Sequence, residues 1–515
     1  MSSSTLINST TTGETAQVHR LRWQAILFWA AALALFLLAA GMRLYNLGLL
    51  FDRDGYDEGV YWQSLRAMSA GHPLYQQIFY SQPPFFLLSA FPSFALLGGT
   101  LWSGRLGIAL VSLLGMLGAF LLGKALAGRL GAIMALLLMV VDTLYLVESR
   151  KLMAEAPSVA FSMLAVGLAY LWWEHPEGRR GLCWAALTGI ALALSILSKL
   201  LCVVTFAAVA LLILARLWQI WQKQPGTDLA SLRPILAGIA AFAVMMLVVL
   251  LPFLSSFHSL LQDVVSYHTQ SASIFGRAEN TKLVRQVLLS ALGLAAFYGT
   301  LVALLWRDWR VIPLVAWLLG TAFWLWRLVP LFPHHLGALT PPLIALAVMG
   351  IRTTPVPKWD MPQSFVPVLQ RLATPLALLL ILVASAFAIQ QDISYYVTDA
   401  ALSTNGLVRQ EARISVDLRQ AITPEQWVVT DAQFIADMAG RNTPPELVDT
   451  SMVRIASGDL TLQQIIVATS QPQVHAVLFF SGRFYLRNVR PFHEWVAAHF
   501  HLLHAYGQGM ELWVR

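Results

Sequence analysis

Asp52, Asp54, Asp57 and Glu58 place four carboxylates within seven residues. Like charges held together disfavour ionisation, so one of them can be raised toward the range that suits a general base. Asp57 and Glu58 are neighbours. On a helix they point about 100° apart, so one can face a substrate while the other orients or binds. A second string, Glu148-Ser149-Arg150-Lys151, leads to Glu155-Ala156-Pro157. Glu155 suits proton transfer or the positioning of a hydroxyl; the plainer alternative is an ion pair with Lys151, one helical turn away. Lys199 stands alone in an apolar hairpin, where a lysine must snorkel or meet an anion. Arg277, Lys282 and Arg285 are further candidates for a phosphate, and Arg327 precedes the pair His334-His335. Adjacent histidines can donate hydrogen bonds to an anion. Their spacing alone does not define a metal set, so no metal ligand is assigned.

The elements that hold these residues are set by composition. Of 515 residues, 57% are hydrophobic and 12% charged, where a soluble domain carries about 25% charged residues. A soluble enzyme and a disordered chain are both excluded, which leaves a polytopic membrane protein. The net charge of +7 fits basic cytoplasmic loops and an anionic, lipid-linked substrate, with no nucleic-acid partner. Cys183 and Cys202 lie in apolar stretches and have no metal spacing.

Apolar runs predict eleven spans, near 25–42, 101–122, 130–147, 156–173, 182–198, 200–217, 234–254, 286–306, 311–327, 335–350 and 372–390. Short loops holding Lys124, Arg129, Arg179, Arg180, Arg307 and Arg310 read as cytoplasmic under the positive-inside rule. The N-terminus is then inside and the C-terminus outside. The domains expected are a disordered cytoplasmic segment 1–24, a membrane domain 25–390 with outer loops at 43–100 and 255–285, and an outer domain 391–515. Prolines mark 351–370 as a cytoplasmic linker. In the outer domain, Trp427–Thr430, Val474–Phe480 and Met510–Val514 read as strands and Ala432–Ala439 as a helix, a small α/β pattern. Arg483, Arg487 and Arg490 form a basic cluster near Trp495.

With this topology Asp57, Glu58, Glu155, Lys199, Arg277, Arg327, His334 and His335 all fall on the outer side. A transporter places its ionisable groups near mid-membrane, often in broken helices of paired repeats. Collection at the outer ends favours chemistry at the outer interface. A transporter or flippase of lipid-linked sugars is the alternative, and a non-catalytic membrane scaffold a third reading.

The ordered set Asp57-Glu58-Gly59-Val60-Tyr61, then Pro83-Pro84, then Ser149-Arg150-Lys151 with Glu155-Ala156-Pro157, then Arg327 to Leu336 with Thr340-Pro341-Pro342, resembles the GT-C membrane glycosyltransferases, specifically those related to protein O-mannosyltransferase and the lipid A aminoarabinose transferase. The resemblance covers about residues 25–350. It implies a multi-pass plasma-membrane enzyme of the GT-C type with about eleven transmembrane helices and a C-terminal extracytoplasmic α/β domain. It also implies transfer, with inversion, of a sugar from a polyprenyl-phosphate donor to an extracytoplasmic acceptor (lipid, glycan or protein). Asp57 would be the base or acceptor-positioning group, with Glu58 and Glu155 as its acidic partners. Tyr61, Gln82, Arg150, Lys199, Arg277, Arg327, His334 and His335 would contact substrate. Some related folds use a divalent cation; this sequence does not require one. Two departures stand out. Relatives often carry Asp where this chain has Glu155, and many carry Lys or His where it has the neutral Gln82. A neutral amide lacks the charge-assisted strength that a phosphate contact draws on, so Arg150, Lys199 or Arg277 would have to supply the charge.

Overall fold

The computed structural model describes residues 8–49, 55–223, 231–271, 276–352, 365–402 and 406–515. Asp52, Asp54 and most of the expected linker 351–370 lie outside the described residues. The first seven helices are α1 (Asn8–Leu44), α2 (Tyr56–Ser69), α3 (Phe85–Leu96), α4 (Leu101–Val141), α5 (Thr143–Ser149), α6 (Glu155–Glu174) and α7 (Gly178–Ser198). Helix α1 begins within the stretch read as disordered.

Among the described residues, seven helices are long and apolar enough to cross a membrane, or eight if one bent pair counts as a single span. The chain is a multi-pass membrane protein, and the expectation of eleven spans is corrected. Apolar windows register composition and do not register how long or how continuous a helix is. The expected span 101–122 and most of 130–147 fall in one element, α4, which leaves helical geometry only at Ala127 and Gly128, between the two, and ends at Val141. There Asp142 caps α5 by accepting the Tyr145 N–H at 2.9 Å. The expected span 286–306 is bent by 63° between Asn280–Leu288 and Ala291–Leu305, where the Ser290 side chain caps the second piece. Val311–Arg327 has 17 residues, and 335–350 contains a helix of only nine, Thr340–Val348, after a 3-10 turn at Pro333–Leu339. Both fall below the roughly 20 residues that span a bilayer.

Helix α6 is the centre of the bundle. Its apolar window is 89% buried, against 11% for the spanning part of α1, which faces outward. Small residues permit this packing: a Cβ on Gly118 of α4 would stand 2.4 Å from the Leu164 amide of α6. Close helix approach of this kind is how helices associate where lipid is as apolar as leucine.

The C-terminal domain, labelled the outer domain after the topology expected from the sequence, contains a four-stranded sheet in the order β1-β2-β4-β3, with β1 Trp427–Thr430, β2 Val474–Phe479, β3 His501–Gly507 and β4 Met510–Val514. β1 and β2 are parallel, and the other two pairs are antiparallel. Alternation sets its two faces. Val429, Val477 and Phe479 join one core with Ile465, Phe492 and Val496, and Val428, Ala476 and Leu478 join another with Ile414 and Leu418 of the helix Gly406–Ala421. The edge strand β3 is exposed along nearly its whole length. It therefore lacks the buried-face pattern by which a strand is recognised.

Two contacts seat this domain on the bundle. The helix Phe365–Leu402 carries Asp399, which pairs with Arg150 at 3.5 Å. Helix α2 packs against the outer-domain helix Gln433–Met438 through two glycines. Gly55 has φ +49, and a Cβ there would meet the Phe434 ring at 2.9 Å. A Cβ on Gly59 would meet the Phe434 amide nitrogen at 2.4 Å. Phe434 and Val448 accordingly belong to the same core as the membrane helices.

Candidate active site between the bundle and the outer domain

A cavity of about 590 Å³ opens where α2, the loop 79–83, the start of the turn after Lys199, the segment 328–335 and the outer domain meet. Helix α2 brings Asp57 into it. Asp57 is exposed to the cavity, while protein surrounds the recess. Burial pushes its carboxyl pKa up, as do Glu155 and Asp449; His334 and Lys199 act in the opposite direction.

Glu58, one position on, turns back into the bundle. Its Oε1 accepts from Arg105 Nε at 2.8 Å and from the Leu152 amide at 2.7 Å, and its Oε2 accepts from Arg105 Nη2. Arg105 is wholly buried in α4. It also donates to the carbonyls of Leu47, at 2.7 Å, and Leu49. This bidentate pair ties α2, α4 and the loop before α6 to one point. The angular separation expected for adjacent residues thus gives Asp57 and Glu58 opposite environments.

Lys199 reaches the site because α7 ends at Ser198 and the chain turns extended at Lys199. Its ammonium donates to Glu155 Oε1, the first residue of α6. Glu155 therefore pairs with Lys199, and Lys151 faces the cavity separately. Pro333 opens the turn that presents His334 and His335. Their Nε2 atoms stand 3.6 and 3.8 Å from Glu155 Oε1. Burial lowers both imidazole pKa values, strongly for His335.

Glu155, His334 and His335 place three ligand atoms within 4.8 Å of one another, a donor set consistent with a divalent cation. The neighbours constrain that use. Lys199 already holds the carboxylate, and His335 Nδ1 accepts the Phe332 amide at 3.2 Å. A neutral imidazole whose Nδ1 accepts carries its proton on Nε2, so that atom donates. Glu155 Oε2 is buried without a hydrogen-bond partner among the described residues and could face a cation, but that cation would sit beside the Lys199 ammonium and would require His335 to change tautomer.

Tyr61 and Gln82 also line the cavity. Tyr61 packs edge-on against Phe86 and Tyr80, and the Gln82 carbonyl accepts from Tyr75 at 2.7 Å. Three expected contacts lie elsewhere. Arg150 is buried against Asp399 and the rings of Tyr395 and Tyr396. Arg277 and Arg327 are exposed and absent from the cavity wall. Several lining residues escaped the sequence reading. Lys151 was available as the immediate neighbour of Arg150. Tyr56, His268 and Asp449 gave no signal in spacing, and Arg483 was read only as part of a basic cluster in the C-terminal domain, because tertiary contact alone brings them to the cavity.

Residues 33–261 match the family described as dolichyl-phosphate-mannose-protein mannosyltransferase. That stretch includes Asp57, Glu155 and Lys199 and ends before His334. No curated protein matches the chain. The structure is similar to that of ArnT from Cupriavidus metallidurans bound to undecaprenyl phosphate. The TM-score is 0.63 at 15% identity, over 95% of this chain and 97% of that one. It is also similar to the oligosaccharyltransferase AglB from Archaeoglobus fulgidus in complex with an inhibitory peptide and a dolichol-phosphate, at TM-score 0.50 and 13% identity, over 89% and 70%. The chain shares the fold of these two structures.

Proposed function

We propose that the protein is a plasma-membrane glycosyltransferase that moves a sugar from a polyprenyl-phosphate donor to an extracytoplasmic acceptor, with inversion at C1. Residues 25–390 form the catalytic membrane domain and 391–515 the outer domain, both the active site and the C-terminus being extracytoplasmic. The observation that carries the reading is the cavity itself: Asp57 stands in it together with Lys199, His334 and His335, beneath a roof from the outer domain. A site built at helix ends, under a soluble domain, suits chemistry on a lipid-linked substrate. A transport site would lie near mid-membrane.

In this mechanism the polyprenyl tail stays in the bilayer, and its phosphate meets Lys199, Lys151 and the histidine pair. Gln82 contributes hydrogen bonds without charge. Asp57 takes the proton of the acceptor hydroxyl as that oxygen attacks C1. The C1–O bond to the phosphate breaks, and the bonding electrons leave with the polyprenyl phosphate. Its charge is stabilised by donors that are already in place. The raised pKa of Asp57 makes it a better base than an ordinary carboxylate, provided the pH is high enough to ionise it. Glu58 acts through Arg105 by holding α2, and Glu155 orients Lys199 and the histidines.

The test is transfer from labelled polyprenyl-phosphate sugars into a cell-envelope extract by the purified protein. Asp57→Asn should lose transfer by about 10²–10⁴-fold, the usual contribution of a positioned base, while still binding donor. Unchanged transfer by that variant would defeat the base role.

A further inference from the structure

The roof of the cavity carries a cation that the mechanism above leaves unused. Asp431 follows β1, and its carboxylate accepts backbone N–H groups from Phe480 at 2.8 Å, Ser481 at 3.1 Å, Arg483 at 2.8 Å and Phe484 at 3.4 Å. One buried carboxylate thus shapes the loop after β2, which turns at Gly482 with φ +82. Arg483 projects from that loop to the cavity wall. Its Cζ lies 3.7 Å from the centre of the Tyr56 ring, and its Nη1 donates to the Asp431 carbonyl at 3.2 Å. Tyr56 is fixed in turn by donating to Asp449 at 3.0 Å, and it immediately precedes Asp57 in α2. The guanidinium is held over a ring face and anchored at one nitrogen. Its Nε and Nη2 make no hydrogen bond among the described residues, and the side chain is only half-buried. The nearby Asp449 carboxylate is engaged by Tyr56 and by the Ser451 amide at 2.7 Å.

An edge of two parallel N–H groups matches a carboxylate or phosphate in bidentate fashion, and stacking on an aromatic face fixes its plane in advance. The donor phosphate is tied to a tail in the bilayer, so it meets the bundle cations. Arg483 belongs to the outer domain and lines the same cavity against the Tyr56 ring. We propose that Arg483 binds the acceptor and that the acceptor carries an anionic group, phosphate or carboxylate, close to the hydroxyl it presents to Asp57. This rests on the transferase reading, and it gives the outer domain a part in choosing the acceptor.

The test uses the full chain in nanodiscs with labelled donor and a cell-envelope extract, and it has two readouts. The first is kinetic. Arg483→Gln should raise the KM for the extract by about 10–100-fold, the range for a hydrogen bond to a charged group, with donor affinity unchanged. Arg483→Lys should fall between, since it keeps the charge and loses the fork. The second readout is modification of Arg483 by phenylglyoxal, followed by mass spectrometry; the extract should shield it in the wild-type protein. Phosphatase treatment of the extract should abolish shielding if the anion is a phosphate, and carbodiimide amidation should do so if it is a carboxylate. Shielding that survives both treatments overturns the anionic assignment. An unchanged KM for the extract in Arg483→Gln, or a loss of donor affinity instead, overturns the acceptor role. Transfer without shielding sinks this inference and leaves the transferase standing. Shielding without any transfer sinks the transferase and leaves the anion subsite.

Discussion

Arg105→Gln removes two of the three hydrogen bonds around a buried charge, the Glu58 carboxylate. In the native site Glu58 receives two N–H groups from Arg105 and one from the Leu152 amide. In the variant its carboxylate is left in the bundle with the amide alone, and the Leu47 carbonyl loses its donor as well. Breaking a buried ion pair from one side costs about 3–5 kcal/mol, because the remaining charge is uncompensated. Glu58→Gln should cost a similar amount by stranding Arg105, which is wholly buried. The double variant Glu58→Gln/Arg105→Gln strands neither charge, so its loss should be well below the sum of the two. Stability is read by thermal unfolding of the purified protein in nanodiscs, and transfer is measured in parallel. A displacement of α2 by about 1 Å can lower turnover by about 10²-fold, with donor binding retained. Additive losses in the double variant, or single variants within about 1 kcal/mol of wild type, would refute the view that this pair positions Asp57.

Gly59→Ala places a Cβ 2.4 Å from the Phe434 amide, so backbone must move; a loss of about 1–3 kcal/mol is expected, with faster proteolysis between bundle and outer domain as the measurement. The acid limb of the transfer profile should lie above the ordinary carboxylate value of about 4, because burial raises the Asp57 pKa and activity is lost as pH falls through it; a limb at or below that value would remove Asp57 as the base. Chelation of divalent cations should leave transfer unchanged, since the Lys199 ammonium stands against Glu155 and the His335 Nε2 carries a proton while its Nδ1 accepts the Phe332 amide; loss on chelation, restored by added metal, would assign the triad to a cation instead.

Much of this molecule was legible in its sequence. Scarcity of charge forces a membrane protein, and short apolar, β-branched runs bounded by turn residues marked β1, β2 and β4, because burying apolar surface leaves a signature in residue order. The gathering of Asp57, Glu58, Lys199, His334 and His335 at one end followed from counting helix ends. Other features were decided by tertiary structure. The number of spans depends on the continuity of α4, the bend at Ser290 and the shortness of Val311–Arg327 and Thr340–Val348, which an apolar average passes over. The edge strand β3 has no buried face to betray it. Arg150 and Lys151 are adjacent and both basic, yet one is buried against Asp399 and the other faces the cavity. Side-chain direction there is set by where α5 ends, and residue type carries no trace of it. The same holds for Glu155, whose partner is Lys199 at the end of α7 and not Lys151 in its own strand of sequence. Asp449 and Arg483 come to the cavity only because two glycines let α2 press against Phe434. Composition and periodicity determined which residues must be buried and which end of the bundle holds the charge. Long-range packing, which has no sequence period, decided which charges meet.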